Sequence, residues 1–198
     1  MEIVGPIRLP HSWAANNVRE LTHYLFTFPH GNYLVAEIGK AKGVKDILVR
    51  VQSACAFGDI FESRWCDCAW QLKESKRLLF NEESGLLIHA FDQHGKGVGL
   101  RNHYRVYAEG QKRNQKLLTE TFDFLGLDYE NRNYEDVVKI LKYFNLSEIR
   151  LLTNDPARLH FFEEKGIKIK RIPLVPPMDV YNKEELGIKK EAFGHLIE

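Results

Sequence analysis

Apolar positions in this chain recur with two periods, and their alternation along the sequence predicts the architecture. "NYLVAEIG" and "DILVRVQSA" read as strands, and the short apolar run in "GLLIHAFD" reads as a third, buried one. Between the last two, "CAWQLKESKRLLF" spaces its apolar residues as a helix does. "GLRNHYRVYAEG" and "YEDVVKILKYFN" are helical as well, the second placing Val137, Val138, Leu141 and Phe144 on one face. Strand "EIRLLT" comes next. In "TNDPARLHFFEEKG", Asp155 is suited to cap a helix whose first position is Pro156, and Gly166 suits its stop. "IKIKRIPL" returns to a strand, and "PLVPPM" reads as an extended connection to a short C-terminal helix ending near Gly194. Strands interleaved with helices predict a mixed α/β (α+β) fold, one domain over residues 1–198, with active loops at strand ends. Strand order and direction do not follow from the pattern.

Composition narrows the chemistry. A chain of 198 residues that is 44% hydrophobic and 12% aromatic buries enough surface to fold without a disulfide or metal. Its 28 basic and 27 acidic side chains give a net charge of +1, so no broad electrostatic footprint exists for nucleic acid or an anionic membrane. Any anion site is local. No basic start precedes an apolar core, and no apolar run approaches a membrane span, so a cytoplasmic protein is expected. An odd count of three cysteines in a reducing compartment points to free thiols or metal ligation.

All three cysteines lie in "CAFGDIFESRWCDC", spaced C-x10-C-x-C. Cys66 and Cys68 flank Asp67, so in an extended segment both side chains point the same way, and a turn would bring Cys55 to meet them. Three thiolates so gathered could bind one zinc ion. A structural site normally closes with four protein ligands, whereas a catalytic one leaves a position for water. Three readings stay open on spacing alone: an open zinc site, a closed one completed by one of the eight histidines, and ordinary buried thiols.

The surrounding letters go further. "RVQSACAFGDIFESRWCDCAWQL" resembles the zinc segment of the GTP cyclohydrolase II family, R-V-H-S-E-C-x-T-G-D-x-x-x-S-x-x-C-D-C-x-x-Q-L. "DQHGKGVGLRNHYRVYA" is similar to that family's R-Q-E-G-R-x-I-G-L-x-N-K-x-x-A-Y-x-L, "ENRNY" to its D-x-R-x-[FY], and "RLLTNDPARL" to its R-L-L-T-N-N-P-x-K. With the terminal "GHL", the resemblance runs from about residue 46 to 196 in matching order. It implies a GTP cyclohydrolase II-like fold and a zinc-dependent hydrolase that attacks C8 of GTP, opens the imidazole ring, and releases formate and diphosphate. That reaction opens riboflavin biosynthesis. It also implies one zinc ion on Cys55, Cys66 and Cys68, Mg2+ as a companion of the triphosphate, and a homodimer. The zinc deaminases of nucleobases use related chemistry, but their H-x-E and P-C-x-x-C signature is absent here.

By the same resemblance, Arg132 is a nucleophile toward the α-phosphate, with Glu130 as its base, and Tyr107 donates to developing negative charge. A guanidinium with a pKa above about 12 resists deprotonation, so an electrostatic clamp at Arg132 is an equal expectation. Arg50 and Arg158 are further phosphate candidates. Ser53, Gln71, His94, Lys96 and Thr153 complete the substrate-binding set. Taken singly, an isolated arginine is usually a solvated surface residue, Tyr107 a half-buried aromatic, and Thr153 or Gln71 ordinary capping or surface chemistry. "HGKGVGL" matches neither G-x-G-x-x-G nor a Walker A pattern; it reads as a backbone turn shaping the pocket floor, with Lys96 its only charged member.

Departures from the family pattern fall on the base-facing groups. Ala54 stands where the pattern has Glu, and Gln93-His94-Gly95-Lys96 stands where it has Q-E-G-R, so two acids are missing. A carboxylate is the natural acceptor for the N1–H and N2–H2 donors of guanine, and Asp92 is the nearest replacement along the sequence. The family's D-T-V-E-A-N survives only as "LLTET", with Leu118 and Phe122 at its threonine and asparagine positions, and Glu130 is longer than the usual aspartate. Two alternatives follow: a relative that opens another nucleotide in secondary metabolism or pyrimidine breakdown, or a zinc-stabilised nucleotide-binding protein without catalysis.

Overall fold

The computed structural model describes residues 1–14, 17–115 and 118–197; Leu117, which begins the "LLTET" segment, lies outside them. The strands are β1 (Glu2–His11), β2 (Arg19–Phe28), β3 (Gly31–Ile38), β4 (Ile47–Ser53), β5 (Gly85–Ala90), β6 (Glu148–Leu152) and β7 (Lys168–Ile172). They form one sheet of order β1-β2-β3-β5-β4-β6-β7. From β1 to β5 each neighbour is antiparallel, and from β5 through β4 and β6 to β7 each is parallel. Chain economy explains the split, because β2 and β3 join through a tight turn while parallel neighbours need long crossovers, which helices supply. Those helices are α1 (Cys68–Phe80), α2 (a single turn, His94–Gly97), α3 (Leu100–Lys112), α4 (Leu118–Phe124), α5 (Glu135–Tyr143), α6 (Pro156–Glu164) and α7 (Lys183–Phe193), with a π-helical turn at Ala56–Ile60.

Central β4 is buried from Ile47 to Gln52, as expected of a parallel strand covered on both faces. Its side chains alternate between two cores. Val49 and Val51 pack with Val137, Val138, Leu141 and Phe144 of the α5 side, joined by Phe162 of α6. Leu48 packs with Leu72 and Leu79 of α1. By the same alternation Arg50 and Gln52 fall on the α1 side, near the carboxyl end of β4, where the parallel strands β4, β5 and β6 all terminate. Open α/β sheets bind ligands beyond this end.

Boundary chemistry behaves as the letters predict at α6, where the Asp155 carboxylate accepts from the backbone N–H of Ala157 at 3.0 Å and of Arg158 at 3.4 Å behind Pro156. Gly194, with φ 63°, ends α7. The apolar pattern does not anticipate the β1–β2 pair, α4 or the π-helical turn. β1 is an exposed edge strand interrupted by Pro6 and Pro10, residues a strand tolerates only at an edge. No helix among the described residues is long and apolar enough to cross a membrane.

Candidate active site

The three sulfurs meet at the carboxyl end of β4. Cys55 caps the π-helical turn that follows the strand, Cys66 lies in the succeeding loop, and Cys68 opens α1. All three Sγ atoms lie within 4.8 Å of one another, and Cys55 and Cys66 are 3.8 Å apart. A tetrahedral zinc with bonds of ~2.3 Å places its sulfurs about 3.8 Å from each other, so the cage fits that ion. Gly58 permits the approach, since a Cβ there would sit 2.6 Å from the Cys68 Cβ. Without a cation the thiols hold their protons, and Cys66 is pushed up to about 12 by its hydrogen bond with Cys55 and by burial. A bound cation inverts that preference.

Buried polar side chains lock the cage in place. Asp59 accepts from the backbone N–H of Cys55 at 3.0 Å, from Gln52 Nε2 at 3.1 Å, and lies 3.0 Å from His89 Nε2. Arg50 donates to Gln52 at 2.7 Å, to Gln71 at 2.6 Å and to the Leu152 carbonyl at 3.0 Å. Gln71 then donates to Asp67 at 2.5 Å. Arg158 is committed likewise, to the Val51 carbonyl at 2.9 Å and to the Tyr134 hydroxyl at 3.0 Å. The solvated-surface expectation for isolated arginines fails at both sites. Burial, with Arg158 nearby, lowers Arg50 to about 9, a cost that its hydrogen bonds offset.

Arg132 differs, because its fork faces the cleft. Its Nε and Nη2 donate to Glu130 and Nη2 also to Asp155 at 3.2 Å, while Nη1 has no protein partner among the described residues. Burial opposes its charge, but Tyr134, Glu130 and Asp155 hold the guanidinium above its ordinary pKa. The glycine turn sets its position: Gly97 has φ 89°, and a Cβ there would meet the Asn131 carbonyl carbon at 2.5 Å. The Lys96 carbonyl also accepts from Asn131 N at 2.8 Å. Lys96 Nζ sits 4.0 Å from the Tyr129 ring centroid and 4.4 Å from that of Phe193.

Arg50, Ser53, Gln71, Lys96, Tyr107, Arg132, Thr153 and Arg158 all line one cleft with the three cysteines. Glu130 reaches it through Arg132. Thr153 accepts from Asp155 N at 3.1 Å, and the buried Ser53 hydroxyl has no partner among the described residues. Burial and the adjacent cysteines push the Tyr107 phenol well above its ordinary pKa, so it is a donor. His94 and Asp92 lie elsewhere. Both line a second, mostly apolar hollow of about 710 Å³, and Asp92 accepts from Asn32 N at 2.8 Å and Asn32 Nδ2 at 2.9 Å. Asp92, the nearest acid along the sequence, thus lies beyond β5 and lines this second hollow, which adjoins the cleft at Ala54 and Cys55.

Sequence reasoning missed what α7 and the residues just after it bring. Glu185 and Lys189 of α7, and His195 beyond its end, all line the cleft. Lys189 donates to Asp67 at 2.6 Å and pairs with Glu185 at 2.6 Å, tying the C-terminal helix to the residue between two cysteines. Only the adjacency of Asp67 to Cys66 and Cys68 signalled it, and its partner is more than a hundred residues away.

Comparison with known proteins bears on this arrangement. The family model described as GTP cyclohydrolase II matches residues 12–173. The chain is 39% identical over 199 aligned residues to a GTP cyclohydrolase-2 of Picrophilus torridus, covering 99% of each chain. It is 38% identical over 175 residues to the riboflavin biosynthesis protein RibBA of Staphylococcus epidermidis, covering 88% of this chain and 44% of that one. RibBA of Staphylococcus aureus is 38% identical over 156 residues, covering 75% and 37%. The chain thus spans under half the length of these RibBA relatives. Fold and matches together make it an enzyme of the cyclohydrolase class. It belongs to the GTP cyclohydrolase II family.

Proposed function

We propose that this chain is a cytoplasmic, zinc-dependent hydrolase that opens the imidazole ring of GTP at C8 and releases formate and diphosphate, the entry to riboflavin. The observation that carries the reading is the three-sulfur cage sharing one cleft with Arg132 and Lys96. Cys55, Cys66 and Cys68 would hold the zinc ion, which supplies a Lewis acid and lowers the pKa of water toward ~7. Arg132 and Lys96 bind the phosphates, where Mg2+ is a further companion. Tyr107, held protonated, donates a hydrogen bond to negative charge developing near the thiolates. Two carboxylates around Arg132 favour the clamp role, since they keep its proton in place. A homodimer follows from the resemblance, and the exposed Leu34, Ile60, Phe91 and Leu100 around the second hollow give this chain an apolar face suited to it.

The test is incubation of zinc-loaded protein with a panel of nucleotides, following formate, diphosphate and the ultraviolet spectrum. Formate from GTP is expected. Binding without formate from any nucleotide would make the chain a binding protein, and formate from another nucleotide alone would reassign the substrate.

Lys96 adds a pH dependence. Burial and the neighbouring Arg132 push its ammonium down to about 8, against Glu130 and Asp155, with Lys189 adding to the repulsion. A triphosphate binds the charged form, so affinity is full below that pH and falls as the pH rises through it. KM for the nucleotide should climb above about pH 8 in the wild type and lose this limb in Lys96→Met. A flat wild-type KM between about pH 7 and 9 would count against the contact.

A further inference from the structure

Guanine presents N1–H and N2–H2 side by side, a pair of donors that one carboxylate accepts with both oxygens. At the two positions where the family resemblance places acids, this chain has Ala54, which lines the cleft without a polar group, and His94, which lies in the other hollow. Three carboxylates do line the cleft: Asp67, Asp155 and Glu185. Asp67 is fully engaged, one oxygen on Lys189 and the other on Gln71. Asp155 is engaged too, one oxygen capping α6 and the other on Arg132. Glu185 alone keeps an oxygen in reserve. Its Oε1 pairs with Lys189 at 2.6 Å, while Oε2 is buried with no partner among the described residues.

We propose that Glu185 is the specificity residue that reads the guanine edge in this chain, an inference that rests on the GTP reading above. An unpartnered buried carboxylate oxygen costs free energy unless a ligand supplies the donor. Lys189 is shared between Asp67 and Glu185, so the three groups carry one negative charge in excess, the sign that a donor edge relieves. Burial raises the Glu185 pKa despite Lys189, the strain expected of a carboxylate waiting for its donors. The helix that carries it is fixed by the fully buried Leu186, by Asn182 donating to the Pro177 carbonyl at 2.9 Å, and by Arg64 pairing with Asp179 at 2.6 Å. Val106, Leu118 and Phe122 add apolar surface for a purine face, which accounts for two polar-to-apolar departures in the sequence.

The test measures binding of the α,β-methylene analogues of GTP, ITP and XTP to the zinc-loaded protein by calorimetry. ITP lacks the N2 amine and XTP carries a C2 carbonyl in its place. The wild type should prefer the GTP analogue to that of ITP by about tenfold or more, since one charge-assisted bond is lost. In Glu185→Gln, the amide keeps an acceptor for N1–H but turns a donor toward C2. GTP affinity should then fall about ten- to a hundredfold while XTP affinity rises, so that the preference inverts. A merely structural role through Lys189 would weaken all three alike, and that outcome overturns the proposal. So does a wild type that fails to separate GTP from ITP, a result that needs no variant to fold. If wild type releases formate from GTP but Glu185→Gln keeps its base preference, Glu185 falls and the cyclohydrolase reading stands. If the preference inverts yet no formate appears, the base assignment stands and the catalytic reading falls.

Discussion

Cys66→Ser should give a folded protein that purifies without stoichiometric metal and has lost on the order of a thousandfold or more of its formate release. A serine hydroxyl is far harder to ionise than a thiol, so the cage drops from three anionic ligands to two. The fold should survive, because neither hydrophobic cluster includes a cysteine. Metal content by elemental analysis, read beside a thermal melt, separates loss of the ion from loss of structure. Because the thiols hold their protons when no cation is present, loading must release them, and metal affinity in the wild type should rise with pH. Wild-type protein that neither carries nor takes up zinc would remove the basis of the mechanism.

Arg132→Ala is expected to lower turnover by roughly two to four orders of magnitude while zinc content stays at the wild-type level, the range typical of removing a preorganised charged donor at a transition state. The cost has two parts. Nη1, which has no protein partner among the described residues, is lost to the substrate, and Glu130 and Asp155 lose the cation they share. Arg132→Lys separates the roles, because an ammonium restores charge without the planar fork. Recovery of about tenfold or more over alanine marks a clamp; lysine as inactive as alanine marks a role that needs the guanidinium itself. Steady-state formate release and diphosphate release, measured together, decide between them.

The cage was legible because its letters are close together and because resemblance extends over the whole segment. Sequence also placed Arg50, Gln71 and Arg158 at the site, where they line the cleft. It did not show that their guanidinium and amide groups also tie β4 to α1 and α6, because no local pattern announces such a strut. Asp92 follows β5 by two residues and accepts hydrogen bonds from Asn32 at the start of β3, so adjacency along the chain does not carry it into the cleft. Glu185 and Lys189 were hidden for a third reason: their meaning depends on α7 docking against a loop far away in the chain, and contacts of that kind leave no periodic trace. The β1–β2 pair escaped because its prolines and exposed face break the alternation that betrays a half-buried strand.

One unbroken run of hydrogen bonds passes from the backbone N–H of Cys55 through Asp59, Gln52, Arg50 and Gln71 to Asp67 and Lys189, and an ion pair continues it to Glu185. The three-sulfur cage and the Glu185 side of the cleft are therefore anchored on shared groups. Thermodynamic reciprocity then applies: whatever factor a nucleotide adds to the protein's grip on its metal, the metal must return in its grip on the nucleotide. On the proposed reading, removing zinc should weaken nucleotide binding by the same factor by which the nucleotide tightens zinc binding, which calorimetry on the zinc-free and zinc-loaded protein would measure.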